Sequence, residues 1–219
     1  MILGTPIRKQ SLQKMVRETL RQAILEREIQ PGEQLNIRKL AEKLEVSTMP
    51  VREALRELEA EGMISFHSNK RILANQLSLD DLYEIYAIRI PLEEIALVKY
   101  LDRQDRTGLK RLEELHRMMS KPRISGTEWF KLNRAFHMKL HEQAGSPRLF
   151  QILQGLWNST GPYLRLFSDN EKAVARANEE HAGILEAIRN HNISETKKIL
   201  RTHLRNGLKT IEKILKEED

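Results

Sequence analysis

Cysteine is absent from the 219 residues, which excludes a disulfide scaffold, thiolate catalysis and thiolate ligation of zinc. A reducing compartment suits that absence without being required by it. Long apolar runs are missing too. Nothing approaches the roughly 20 consecutive apolar residues of a membrane span, and the opening "MILGTPIRKQ" lacks the apolar stretch of a signal peptide. The expected location is the cytoplasm, with no membrane partner. There is no internal repeat and no low-complexity tract, and "KEED" at the end reads as a solvated terminus.

Charge of one sign is not concentrated anywhere. Residues 1–76 carry 13 Lys+Arg against 10 Asp+Glu, and the remainder carries 24 against 21. The net charge of +6 therefore permits a polyanionic partner, but any basic surface must come from placement and not from a basic half of the chain. Hydrophobic residues make up 40% and charged residues 31%, enough to bury a core beneath a densely charged surface. The length suits one large domain or a small domain joined to a larger one.

Apolar positions Leu12, Met15, Val16, Leu20, Ile24 and Leu25 recur at helical spacing and stop before the Pro31-Gly32 turn. A short helix "IRKLAEKL" follows, with Asn36 as its N-cap, and then a third helix from Thr48 to about Ala60, capped by Ser47 and ended at Gly62. Pro50 falls in the first turn of that helix, where its missing N–H costs little. "MISFHSNKRILANQL" reads as a small hairpin with "HSNK" at its tip. Three helices and a hairpin over residues 1–76 make a winged helix-turn-helix. From residue 77 on the pattern is helical throughout, in about six segments that form an antiparallel bundle, and breaks near Pro122, Gly145, Asp169 and Asn192 mark four of their boundaries. The expected fold class is mainly α.

On the third helix Val51, Leu55 and Leu58 point one way, while Thr48, Arg52 and Arg56 point another. The N-terminal end of such a helix is the part that a helix-turn-helix inserts into the major groove. Arg52 is thus a candidate reader of guanine or anchor to phosphate, against the simpler reading of a solvated surface arginine. In the bundle, Asn133, His137 and His141 share one helix face; His181 accompanies Ile184, Leu185 and Ile188, and His203 accompanies Ile199 and Leu200. Imidazoles meeting inside a bundle can hold a borderline metal, or each can be a core histidine with its own hydrogen-bond partner.

The run from about Leu12 to Leu73, centred on "QPGEQLNIRKLAEKLEVSTMPVREALRELEAEGMI", resembles the DNA-binding domain of the GntR family of bacterial transcription regulators. That resemblance implies DNA contacts by Arg38 and Arg52, with Ser47 and Thr48 near the phosphates. Many relatives carry Arg at the position of Thr48 and Gly in the wing; here Lys70 and Arg71 would supply a charged wing instead. "LNRAFHMKLHEQAGSPRL", "NEEHAGILEAI" and "KKILRTHL" are similar to the FCD-type C-terminal domain of the FadR subfamily. By that similarity the metal ligands would be Asn133, His137, His181 and His203, with Asn133 standing where metal-binding members have an acidic residue. His141 is an alternative ligand. Arg89 looks like a carboxylate anchor, against the alternative of an ion pair with Glu93, and Asn178 is a further pocket residue.

The resemblance implies a homodimeric regulator, a repressor, bound to double-stranded operator DNA with two-fold related half-sites. A small organic acid would control it beside a divalent transition metal, zinc first and nickel or manganese as alternatives. The competing reading is a metal-dependent hydrolase fused to a DNA-targeting domain. Against it, no general base is placed near the histidines, since Glu142, Glu179 and Glu180 look surface-facing, and no catalytic residue is expected.

Overall fold

A computed structural model describes residues 9–68, 71–75, 78–103 and 106–218, which form two compact units, Met1–Gln76 and Leu77–Asp219. In the first, α1 (Lys9–Leu25) packs on α3 (Thr48–Ala60) through Val16, Leu20 and Ile24, a stripe at four-residue spacing. Arg17 and Arg21 of α1 pair with Glu57 of α3 and with Glu61, the residue that follows α3. Leu12 and Met15, expected on the same apolar face, are exposed. Met15 lies one residue, about 100°, off the stripe, and Leu12 lies one turn before it begins.

Asn36 caps α2 (Ile37–Lys43), its side chain accepting from the amides of Arg38 and Lys39. Ser47 occupies the N-cap of α3, but its side chain makes no capping hydrogen bond. Val51, Ala54, Leu55 and Leu58 bury one face of α3, and Gly62 follows it at φ 72°, a left-handed backbone that suits glycine. The wing is a three-stranded sheet of order β1-β3-β2, built from β1 (Gln34–Leu35), β2 (Ile64–Phe66) and β3 (Ile72–Ala74), all antiparallel. The two residues of β1 are too few to show any alternation in sequence. They become a strand only by pairing, Gln34 opposite Leu73, while Gly32 and Glu33 bond to Ala74.

The second unit holds α4 (Leu79–Arg103), α5 (Arg106–Met119), α6 (Gly126–Gln143), α7 (Pro147–Phe167), α8 (Glu171–Arg189) and α9 (Ile193–Glu218). Ser125 and Asn170 cap α6 and α8 with their side chains. Its core is rich in aromatic rings, among them Trp129, Phe136, Trp157 and Phe167. The buried stripe of α4 runs Leu82, Tyr86, Arg89, Glu93, Leu97, Tyr100, so two charged residues take core positions halfway along the helix. Those two mark where α4 faces the histidines of α6.

Candidate metal centre and DNA-reading face

Four helices bring their polar residues together inside the bundle. Asn133, His137 and His141, spaced one turn apart on α6, are each buried, as are His181 of α8, His203 of α9, and Arg89 and Glu93 of α4. His137 Nε2 lies 3.3 Å from His203 Nε2 and 3.4 Å from His181 Nε2.

The outer nitrogens decide what the inner ones can do. Glu93 Oε2 lies 3.3 Å from His137 Nδ1, and Glu180 Oε2 lies 2.8 Å from His203 Nδ1. Burial disfavours charge on Glu93, but Arg89 and then His141 and His137 more than offset it, holding the carboxyl well below the usual carboxylate range. The same balance, with burial opposed by His203, Asn206 and Arg176, lowers Glu180. A carboxylate only accepts, so each imidazole gives its Nδ1 proton outward and a neutral ring turns a bare Nε2 inward. His137 is neutral, because burial pushes it down to about 3 despite Glu93. Burial and the neighbouring His203 and His137 likewise push His181 well down.

Bare nitrogens at these distances repel unless a proton or a cation lies between them. One in-plane lone pair on His137 cannot serve both neighbours as a hydrogen-bond acceptor, whereas a single cation can be shared by three nitrogens. A tetrahedral site with Zn–N bonds of about 2.0–2.1 Å has ligand–ligand edges of about 3.3–3.4 Å, which matches the two separations from His137 Nε2. Asn133 Oδ1 is buried with no hydrogen-bond partner, an oxygen donor in want of a cation. The residues therefore fit a borderline divalent metal.

Beside this group lies a second one. Glu93 Oε1 accepts from Arg89 Nε at 2.5 Å, and His141 Nε2 comes within 3.0 Å of Glu93 Oε2 without hydrogen-bond alignment. His141 is thus grouped with Glu93 and His137, not with the three inward nitrogens. The Arg89 guanidinium sits 4.2 Å from the centre of the Trp157 ring, and that ring lies 4.9 Å from His137. Arg89 Nη1 and Trp157 Nε1 are buried donors without an acceptor. Asn178, expected in the pocket, is engaged elsewhere: its amide accepts from Trp129 Nε1 and donates to the Met119 carbonyl. Its role is to tie α8 to α5 and α6.

Two site residues escaped the sequence reading. Glu180, expected at the surface, is the partner of His203, and Asn206 donates to its other oxygen at 2.6 Å. Glu93 was visible only as an ion-pair partner for Arg89. The available signal was periodicity, since Glu93 continues the buried stripe of α4, and Glu180 falls between Ala177 and Ile184 on the buried side of α8.

In the first unit Arg38 lies in the first turn of α2, and Ser47, Thr48 and Arg52 at the start of α3; all four are exposed, as is Arg71 beside the wing. Lys70 lies outside the described residues. The buried face of α3 is opposite, so its N-terminal end presents Thr48 and Arg52 outward.

Comparison with known proteins decides the family. Residues 84–206 match the FCD domain, and residues 12–73 match the family described as bacterial regulatory proteins, gntR family. The chain belongs to the GntR family and carries an FCD domain. This GntR regulator is 28% identical over 203 residues to the uncharacterized HTH-type transcriptional regulator YdhC of Bacillus subtilis, covering 90% of each chain. It is also 28% identical over 138 residues to the HTH-type transcriptional regulator McbR of Escherichia coli, 62% of each chain. The solved structure of E. coli McbR/YncC superposes with a TM-score of 0.78 at 21% identity, over 93% of this chain and 98% of that one, a likeness of fold. A GntR family member from Pseudomonas syringae gives 0.55 at 25% identity, over 98% and 90%. These relatives are transcription regulators and not enzymes, so the hydrolase reading falls and the chain is a DNA-binding regulator. Among the described residues no helix is long and apolar enough to cross a membrane.

Proposed function

We propose that this regulator is a cytoplasmic, homodimeric repressor whose helical unit binds a divalent transition metal, zinc before nickel or manganese, together with a small carboxylate effector. Asn133, His137, His181 and His203 hold the metal. The observation that carries this reading is the set of inward Nε2 atoms around His137, two of whose rings are oriented by carboxylates on their outer nitrogens. A metal so held supplies concentrated positive charge for an anionic oxygen. Arg89 contributes Nη1 to the effector, its Nε being committed to Glu93.

Arg38, Ser47, Thr48, Arg52, Lys70 and Arg71 form the DNA-reading set. Arg52 contacts a base edge or a phosphate from the N-terminal end of α3, and a two-fold dimer presents two such helices to related half-sites. Effector and operator influence one another reciprocally through the dimer, because each binds one arrangement of it better than the other. The effector favours the arrangement with weaker operator affinity.

The direct test of the centre is elemental analysis of tag-free protein purified without added metal or chelator, beside His137→Ala. The expected result is about one transition metal per chain, as a single four-ligand site requires, lost in the variant. Absence of metal after incubation with zinc, nickel or manganese and desalting would overturn it.

A further inference from the structure

The outward face of α3 is not uniformly polar. Thr48, Arg52, Glu53 and Arg56 are exposed on it, and among them stands Met49, 62% exposed. At about 100° per residue Met49 aligns with Arg56, two turns on, and lies about 180° from Leu58, which is fully buried on the core side. Arg52 and Glu53, one turn on, flank it within about 60°. Met49 thus occupies the middle of the outward face in the first turn, where its side chain has no route back to the core. Pro50 beside it is half-buried and brings neither a polar side chain nor an amide proton to that turn. A single exposed apolar residue ordinarily needs no explanation. This one stands at the end of the helix that a helix-turn-helix directs at base edges.

What such a side chain can meet there is narrow. Charged neighbours on both sides leave no contiguous apolar patch of the kind that docks a protein surface. The floor of the major groove offers hydrogen-bond donors, acceptors and one apolar group, the C5-methyl of thymine. A thioether is only a weak acceptor, so a methionine projected into the groove gains chiefly from that methyl, and its unbranched chain adapts to reach it. We infer that Met49 packs against a thymine C5-methyl and sets a preference for T·A at the base pair it faces. This rests on the reading of α3 as the DNA-reading helix and adds to it a residue outside the hydrogen-bonding set named above.

The experiment takes an operator fragment selected from random-sequence DNA by the full unsubstituted chain. Each thymine of one half-site is replaced in turn by deoxyuridine, which deletes the methyl and keeps the base pair. Binding is titrated for the unsubstituted chain, Met49→Ala and Arg52→Ala; both positions are exposed, so the three unfolding midpoints should agree. At one thymine, deoxyuridine should weaken binding by the unsubstituted chain about 3–5-fold, the effect of returning one methyl to water. Met49→Ala should bind the unaltered operator more weakly and be indifferent to that replacement, the non-additivity expected of two groups in contact. A methyl that acts through DNA shape weakens both proteins alike. Equal losses in the two at every thymine, or no loss at any, therefore overturn the inference, while loss of operator affinity in Arg52→Ala leaves the reading of α3 standing. If Arg52→Ala and Met49→Ala both bind the unaltered operator as the unsubstituted chain does, that reading falls and the inference with it.

Discussion

A histidine ligand is only as good as the group behind it. His203 gives its Nδ1 proton to Glu180 at 2.8 Å, and the closeness of that contact sets the ring's tautomer and direction. Replacing Glu180 by Gln keeps the shape but removes the charge, so zinc affinity in a chelator competition should fall about 10–100-fold with little change in melting temperature. An unchanged zinc affinity would mean that Glu180 is an ordinary buried-edge acid. The histidines themselves were legible in sequence because each sits among apolar residues at helical spacing. Their partners were not, because a glutamate beside an apolar stripe usually faces water, and only the neighbouring helix decides otherwise. Arg89 shows both outcomes in one side chain: the ion pair with Glu93, the simpler alternative in sequence, is present, and a second nitrogen remains without a hydrogen-bond partner near the buried histidines.

At the scale of elements, helices were read well wherever a cap, a turn glycine or a proline marked their ends. Asn36, Thr48 and Gly62 stand where the spacing puts them, and each of the bundle's breaks falls between helices of the structure. What escaped was β1, whose two residues are a strand only through their ladder with β3, and the outward turn of Met15, which a stripe one residue too wide conceals. Asn36 bears on function because it starts the helix that carries Arg38. Substituting Asn36→Ala removes the acceptor for the amides of Arg38 and Lys39. It should destabilise the small unit by about 0.5–2 kcal/mol, seen as a lowered denaturant midpoint. The zinc content of the protein should be unaffected, since the cap and the histidines belong to different units.

At the scale of the molecule, one unit carries the proposed DNA-reading helix and the other the proposed metal centre, and regulation as proposed requires that occupancy of the second alter the first. In the proposed homodimer the coupling is a difference in affinity between two arrangements; tight effector binding to both alike would shift nothing. The measurement that tests this most directly is fluorescence anisotropy of an operator fragment selected from random-sequence DNA. It would be run with zinc alone and with zinc plus the small carboxylate that raises the protein's melting temperature most, on the unsubstituted chain and on His137→Ala. The account predicts binding that weakens steeply with salt, as phosphate contacts require. It further predicts operator affinity lowered by the carboxylate about 5–150-fold, and a His137→Ala protein that still binds the operator but no longer responds. A His137→Ala protein that keeps the full response, or an unsubstituted protein whose operator affinity ignores zinc and carboxylate alike, would contradict it.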